Sequence, residues 1–175
     1  MPNEKMAGNT STEPADLVTE LRRRLKGKVL LIGAGNTLRG DDGAGPSIID
    51  LLIDKVNAAL LDVGEIPESY FSRIFEADPD TIVFLDAANF EANPGDLAIL
   101  ETDDIAGCCI STHQMPMNLF FNYIQQNSRA EIFALGIQPA QIGFGESMSP
   151  AVAESVNATA SLLQQLLPKM DRQVN

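Results

Sequence analysis

The chain of 175 residues has no tryptophan, one histidine and two cysteines, and its 12 basic residues are outnumbered by 24 acidic ones. A formal net charge of −12 argues against nucleic acid and anionic membranes as partners, because both repel an acidic surface. Cys108 and Cys109 are adjacent, which suits neither a disulfide framework nor a metal knuckle. No apolar run could span a bilayer, and residues 1–8 lack the apolar segment of a signal peptide. We therefore expect a reduced, cytoplasmic protein.

The domain organisation follows from length and composition. Hydrophobic residues make up 45% of the chain and charged residues 21%, which is typical of a globular protein. Residues 1–12 are polar and small, and we predict a mobile tail there. Residues 13–170 contain no linker or repeat and are predicted to form one α/β domain, large enough for a core of its own.

Apolar runs alternate with helical patterns along that domain. Strands are predicted at about residues 28–34, 58–63, 81–86, 96–101 and 131–137. The run at 81–86 is continuous, which is typical of a strand covered on both faces. Helices are predicted to begin near Pro14, Pro46, Pro67, Ser111 and Pro150. This alternation predicts a three-layer fold, with a mostly parallel, twisted sheet of about five strands and helices on both faces.

The most informative segment is the loop Gly33–Pro46, which follows the first apolar run and reads GAGNTLRGDDGAGP. Such a loop often binds a nucleotide phosphate, but the third glycine of the dinucleotide fingerprint is missing after Gly33 and Gly35. Two adjacent carboxylates, Asp41 and Asp42, would repel a phosphate and attract a cation. The loop therefore favours metal or proton chemistry over nucleotide binding.

Three polar residues are expected at one edge of the sheet, because sites in such folds form beyond the carboxyl ends of the strands. Asp41 or Asp42 follows the first strand, Asp86 ends the third, and His113 lies in the connection after the alternating strand near residues 97–100. Two carboxylates and one imidazole can bind a divalent transition-metal ion and leave positions open. Structural roles remain open for each: one of the aspartates capping a helix, Asp86 ending a turn, His113 bonding to backbone.

These segments resemble the nickel–iron hydrogenase maturation endopeptidases. The matching blocks occur in the family's order and cover roughly residues 28 to 165: Gly33–Asn36, Asp41–Pro46, Leu85–Ala87, Asn93–Gly95, Thr112–Asn118 and Leu135–Pro139. The Thr112–Pro116 and Gly136–Pro139 blocks are most similar to the branch that serves the hydrogenase of formate hydrogenlyase. The helix and tail before residue 27 lie outside the usual span of the family.

The resemblance implies a protease that removes the C-terminal extension of the hydrogenase large subunit after nickel insertion. It implies that Asp42, Asp86 and His113 are the metal-contacting and catalytic residues, in an aspartic or metal-assisted mechanism. The nickel would be carried by the substrate, and no tightly bound cofactor of the protease itself is expected. The expected partner is the large-subunit precursor, and we expect a monomer. A chaperone that checks for nickel without cutting is the alternative function.

Overall fold

The computed structural model describes residues 14–107 and 115–169. Its sheet is built from strands β1 (Val29–Ala34), β2 (Ala59–Gly64), β3 (Thr81–Ala87), β4 (Leu97–Leu100) and β5 (Glu131–Ile137). Each lies where an apolar or alternating run predicted a strand. All seven residues of β3 are buried, as expected for a central strand that helices cover on both sides. The predicted tail, residues 1–12, lies outside the described residues.

The helices are α1 (Pro14–Arg24), α2 (Ala44–Leu52), α3 (Phe71–Ala77), α4 (Thr102–Gly107), α5 (Met117–Asn127) and α6 (Pro150–Leu166). Two 3-10 turns, Gly40–Gly43 and Pro67–Tyr70, lead into α2 and α3. Prolines at the start of α1 and α6 fit a first turn whose N–H groups have no partner within the helix. None of the helices in the described part of the chain is long and apolar enough to cross a membrane.

The structure corrects the prediction of a helix that opens at Ser111–Gln114. Met115 and Pro116 are not helical, and α5 begins at Met117 with Pro116 as its N-cap residue. The proline disfavours helical backbone at the residue before it, so a helix could not run through this point undisturbed. The capping-box residues themselves, 111–114, lie outside the described residues. Helix α4 was not predicted, because six residues are too few for a periodic pattern.

The strand order is β2-β1-β3-β5-β4. The pairs β1–β2, β1–β3 and β3–β5 are parallel, and only the edge strand β4 is antiparallel. From β1 the chain crosses to β2 on one side and then returns to β3 on the other side of β1. The carboxyl ends of β1 and β3 are therefore a topological switch point, where open α/β sheets leave a crevice.

Two hydrophobic clusters cover the two faces of the sheet. Val83 and Leu85 of β3 pack with residues of α1, α2 and α6, whereas Ile82 and Phe84 pack with residues of α3, α4 and α5. The three-layer α/β architecture predicted from the sequence is confirmed. The alternation along β3 also fixes where the next residue, Asp86, must point.

Candidate active site

At the switch point, the start of α2 packs directly against the ends of β1 and β3. A Cβ built on Gly45 would lie 2.3 Å from the carbonyl oxygen of Leu85 and 2.5 Å from that of Ala34. Only a residue without a side chain lets the helix approach both strand ends so closely. The 3-10 turn Gly40–Gly43, directly before α2, is thereby held against the ends of β1 and β3.

Asp42 lies in this 3-10 turn and is 4% exposed. Its Oδ2 accepts the backbone N–H of Asn36 at 2.9 Å, so the carboxylate is oriented toward the end of β1. Gly35 permits this arrangement: it has φ +125°, and a Cβ there would lie 1.8 Å from the carbonyl oxygen of Asp42. The sequence placed this carboxylate correctly beside the end of the first strand.

This contact also bears on the nucleotide interpretation. Backbone N–H groups are what a glycine-rich loop offers to a phosphate. Here the N–H of Asn36 already points at the protein's own carboxylate. An anionic ligand at this N–H group would have to displace Asp42, while the preference for metal or proton chemistry stays a prediction.

Asp86 is the penultimate residue of β3, paired with Gly136 of β5, and is 5% exposed. Its side chain points toward α4 and α5, following the alternation that places Phe84 on the same face. It lines a cavity between the sheet and these helices, whose other walls are Phe84, Ala88, Leu100, Ile105, Met117, Phe121, Ala134 and Gly136. A carboxylate in such an apolar surrounding interacts strongly with any cation that reaches it.

His113 lies outside the described residues, as do Cys108 and Cys109. The argument that put His113 on the functional edge needs a correction. Strand β4 is antiparallel, so its carboxyl end, near Leu100, lies at the opposite edge of the sheet. The strand-end rule therefore does not apply to this connection.

The chain nevertheless returns toward Asp86. Ile105 of α4 and Met117 of α5, on either side of residues 108–114, line the same cavity as Asp86. His113 comes four residues before Met117 in the sequence. Asp42 and Asp86 lie at the ends of β1 and β3, as the strand-end rule predicted, while their joining into one site with His113 stays a prediction.

Asp41 has a different role from its neighbour. It is fully buried, and its carboxylate accepts N–H groups from Ala140, Gln141 and Ser149 at 2.8, 3.0 and 2.6 Å. The Ser149 hydroxyl donates a fourth hydrogen bond at 2.9 Å. Helix capping, the structural alternative for the two aspartates, does not occur, since the N-cap of α2 is Gly43 without a side-chain bond. Asp41 instead ties the glycine-rich loop to the segment after β5.

Asn36 is a residue whose role was not predicted beyond shaping a turn. Its Oδ1 accepts the N–H of Leu38 at 2.9 Å, and its Nδ2 donates to Oε2 of Glu65 at 3.0 Å. Together with its own N–H to Asp42, these bonds hold the first turn of the loop in place. The sequence signal was the asparagine itself, a residue type that often bonds to backbone two residues on.

A metal ion would need more ligands than the described residues offer together. Within 14–107 and 115–169, no three His, Cys, Asp or Glu side chains converge closely enough to hold one. A site that uses Asp42 and Asp86 therefore depends on His113, or on groups that a substrate brings. The site residues, their metal and their catalytic roles remain predictions.

Comparison with known proteins identifies the family. A family model described as hydrogenase maturation protease (HycI) matches residues 50–166, a range that includes Asp86 and His113 and begins after Asp42. A hydrogenase 3 maturation protease from Escherichia coli is 33% identical over 138 residues, which cover 77% of this chain and 88% of that protein.

Solved structures agree with the sequence comparison. A HycI hydrogenase maturation protease from Thermococcus kodakarensis superposes with a TM-score of 0.78 at 31% identity, covering 85% of this chain and 98% of that one. The solution structure of the endopeptidase HycI from Escherichia coli gives 0.74 at 29% identity, covering 85% and 100%. The fold, the strand-end carboxylates and these similarities lead to one assignment: the chain belongs to the hydrogenase maturation protease family.

Proposed function

We propose that this protein is an endopeptidase that removes the C-terminal extension of a nickel–iron hydrogenase large subunit after nickel has been inserted. The observation that supports the proposal is that two buried carboxylates, Asp42 and Asp86, lie at the ends of the adjacent strands β1 and β3. Membership of a family of hydrogenase maturation proteases supports the peptidase activity. The protein is proposed to act in the cytoplasm, as a monomer, on the precursor of the large subunit.

In this proposal the nickel ion is part of the substrate. Asp42, Asp86 and His113 contact the ion and thereby bring the peptide beside it into the crevice. A bound divalent cation polarises a carbonyl or lowers the pKa of a bound water. Asp42, oriented by the N–H of Asn36, accepts the proton of the attacking water, and the departing amine receives a proton as the peptide bond breaks.

Recognition through the cargo explains the order of events. Three protein ligands leave positions open for the ligands that the large subunit already provides. A precursor without nickel lacks the ion that holds it in the site, so it is not cut. In this proposal the protease needs no resident metal of its own.

The test is incubation with a purified large-subunit precursor, with and without nickel, read by intact mass. The native protein is expected to shorten only the nickel-loaded precursor. Asp86→Asn and His113→Ala are expected to lower the cleavage rate by roughly 10² to 10⁴-fold, because each removes a group at the reacting centre. Asp50→Asn, an exposed carboxylate on α2, is the matched control and should cleave normally.

The outcomes separate the alternatives. Normal cleavage by both site variants would contradict the assigned roles. A native protein that binds nickel-loaded precursor without shortening it would be a nickel-checking chaperone instead of a protease. Thermal unfolding of each variant shows whether a lost activity reflects a lost fold.

A further inference from the structure

The segment between β5 and α6, residues 138–149, is ordered without a helix or a strand. Its bonds to Asp41 fix both ends, and the Gln141 side-chain amide donates to the Ser147 carbonyl at 2.8 Å. A long ordered loop of this kind is usually functional. We refer to residues 138–149 as the clamp loop.

The clamp loop presents apolar side chains to solvent. Phe144 is 75% exposed and Ile142 is 45% exposed, and neither contributes to the two core clusters. Leu38, in the glycine-rich loop, is 61% exposed, and its carbonyl accepts the N–H of Gly145 at 2.8 Å. Leu38, Ile142 and Phe144 therefore lie on two loops joined by backbone bonds, and we call them the apolar patch.

The order of these loops does not come from burying the patch. It comes from a fully buried carboxylate, Asp41, with its four hydrogen bonds, and from backbone bonds between the two loops. An exposed phenylalanine gives up the stabilisation that its burial would provide. Exposed apolar side chains of this kind are typical of surfaces that bind a partner. Aromatic residues on a rigid support are also the usual energetic centres of protein interfaces.

Charge next to the patch indicates the chemistry of the partner. Arg39 follows Leu38 and is half-buried, and its guanidinium forms no salt bridge with any residue in 14–107 or 115–169. The Nε atom of Arg39 is buried without a hydrogen-bond partner, which holds for no other basic side chain in the part of the chain that the structure describes. A segment with apolar side chains and a carboxylate would complement Leu38, Arg39 and Phe144 together.

We propose that the apolar patch binds an apolar, carboxylate-bearing segment of the large-subunit precursor next to the scissile bond. The patch is continuous with the candidate active site, since Leu38 and Asp42 belong to one loop and Asp41 joins the clamp loop to it. The inference rests on the proposed function and deepens it: the nickel ion fixes the cleaved bond, and the patch supplies affinity for the protein around it.

The test compares Phe144→Ser with Ile53→Ser in the cleavage assay, over a range of nickel-loaded precursor concentrations. Ile53, which is 53% exposed at the far end of α2, controls for loss of a surface hydrophobe. Phe144→Ser is expected to raise KM roughly tenfold with kcat nearly unchanged, because a centrally placed aromatic contact is lost. Arg39→Met is expected to raise KM about threefold, less so at high salt.

Each result either supports or overturns the inference. An unchanged KM for Phe144→Ser, while the native protein cleaves, would overturn the patch and leave the proposed function standing. A native protein that does not cleave at all would refute the proposed function itself. If the native protein is a dimer by analytical ultracentrifugation, and Phe144→Ser is monomeric with unchanged KM, the patch joins two copies of this chain instead.

Discussion

Two buried charges hold this fold together at opposite edges of the sheet. Asp41, at the carboxyl edge, accepts only from backbone N–H groups and one hydroxyl, all of them in the clamp loop. Arg24, at the amino edge, bonds to the side chains of Glu101 and Glu131 and lies over the ring of Phe133 at 3.9 Å. The first charge joins two loops of the candidate site, and the second fastens α1, which precedes the range matched by the family model.

The partners make the two clusters differ in kind. Three of the four donors that bond to the Asp41 carboxylate are backbone N–H groups, which cannot reach other acceptors unless the chain moves. Glu101 and Glu131 have side chains that are 52% and 48% exposed, so water can replace Arg24. The two bonds from Ser149 to Asp41 are buried and those from Ala140 and Gln141 are partly buried, so donors left without this acceptor are poorly hydrated. Asp41 should therefore matter for both stability and activity, whereas Arg24 should matter mainly for stability.

The largest effect is expected for Asp41→Ala. It leaves three N–H groups and one hydroxyl without their acceptor, and we expect the free energy of unfolding to fall by about 3 to 5 kcal/mol. Because the clamp loop keeps only its backbone bonds to the glycine-rich loop, cleavage should also be impaired at temperatures where the variant is still folded. Urea unfolding and the cleavage assay measure the two effects.

Ser149→Ala is the matched control, since it removes one of the four bonds and keeps the backbone N–H of Ser149 in place. It should cost about 1 kcal/mol and leave cleavage near normal. If Asp41→Ala were as mild as Ser149→Ala, the structural role given to Asp41 would be wrong.

A smaller effect is expected for Arg24→Met, which keeps the length of the side chain and removes its charge. The loss should be about 1 to 2 kcal/mol of unfolding free energy, because both glutamates can be hydrated in its absence. Cleavage measured below the unfolding transition should equal that of the native protein. A fall in kcat for this variant would show that the amino edge contributes to the chemistry.

A last prediction concerns pH and separates the two edges again. His113 must be neutral to contact nickel, and histidine ordinarily titrates near pH 6.5, so kcat/KM should fall about tenfold per unit below that pH. Burial lowers the pKa of Arg24, but its hydrogen bonds to Glu101 and Glu131 outweigh burial and raise it. A cation whose pKa is raised on folding contributes its full stabilisation below its unfolded pKa, so Arg24 adds no pH dependence between pH 5 and 8.

Stopped cleavage assays and thermal unfolding over this pH range provide the measurement. We expect the rate to decline on the acid side while the stability difference between the native protein and Arg24→Met stays constant. A cleavage rate that is flat down to pH 5 would argue against a neutral His113 in the reaction.

The sequence predicted the fold more completely than it predicted the site. Apolar runs predicted β1, β3 and β5, and the strand-end rule placed Asp42 and Asp86, because these features depend on residues close together in the chain. The antiparallel direction of β4 is not encoded locally, since four alternating residues pair equally well either way. The short α4, which brings the chain back toward Asp86, could not be predicted either, because six residues are too few to show a helical period.

The division of labour between Asp41 and Asp42 could not be predicted either. The two are neighbours of identical chemistry, and what distinguishes them is contact with residues about a hundred positions later. The exposed position of Phe144 has the same origin, because the clamp loop takes its shape from Asp41. Sequence reasoning located the carboxylates, and only the packing of distant loops showed which one is structural.

The lack of room for a methyl group at Gly35 and Gly45 has an evolutionary consequence. Substitutions at these positions would push α2 off the strand ends, so the part of the loop that positions Asp42 has almost no freedom to vary. The same loop is open to solvent at Thr37 and Leu38, where new side chains would meet only water or a partner. Such a loop could diverge toward a different client protein while its chemistry stayed the same.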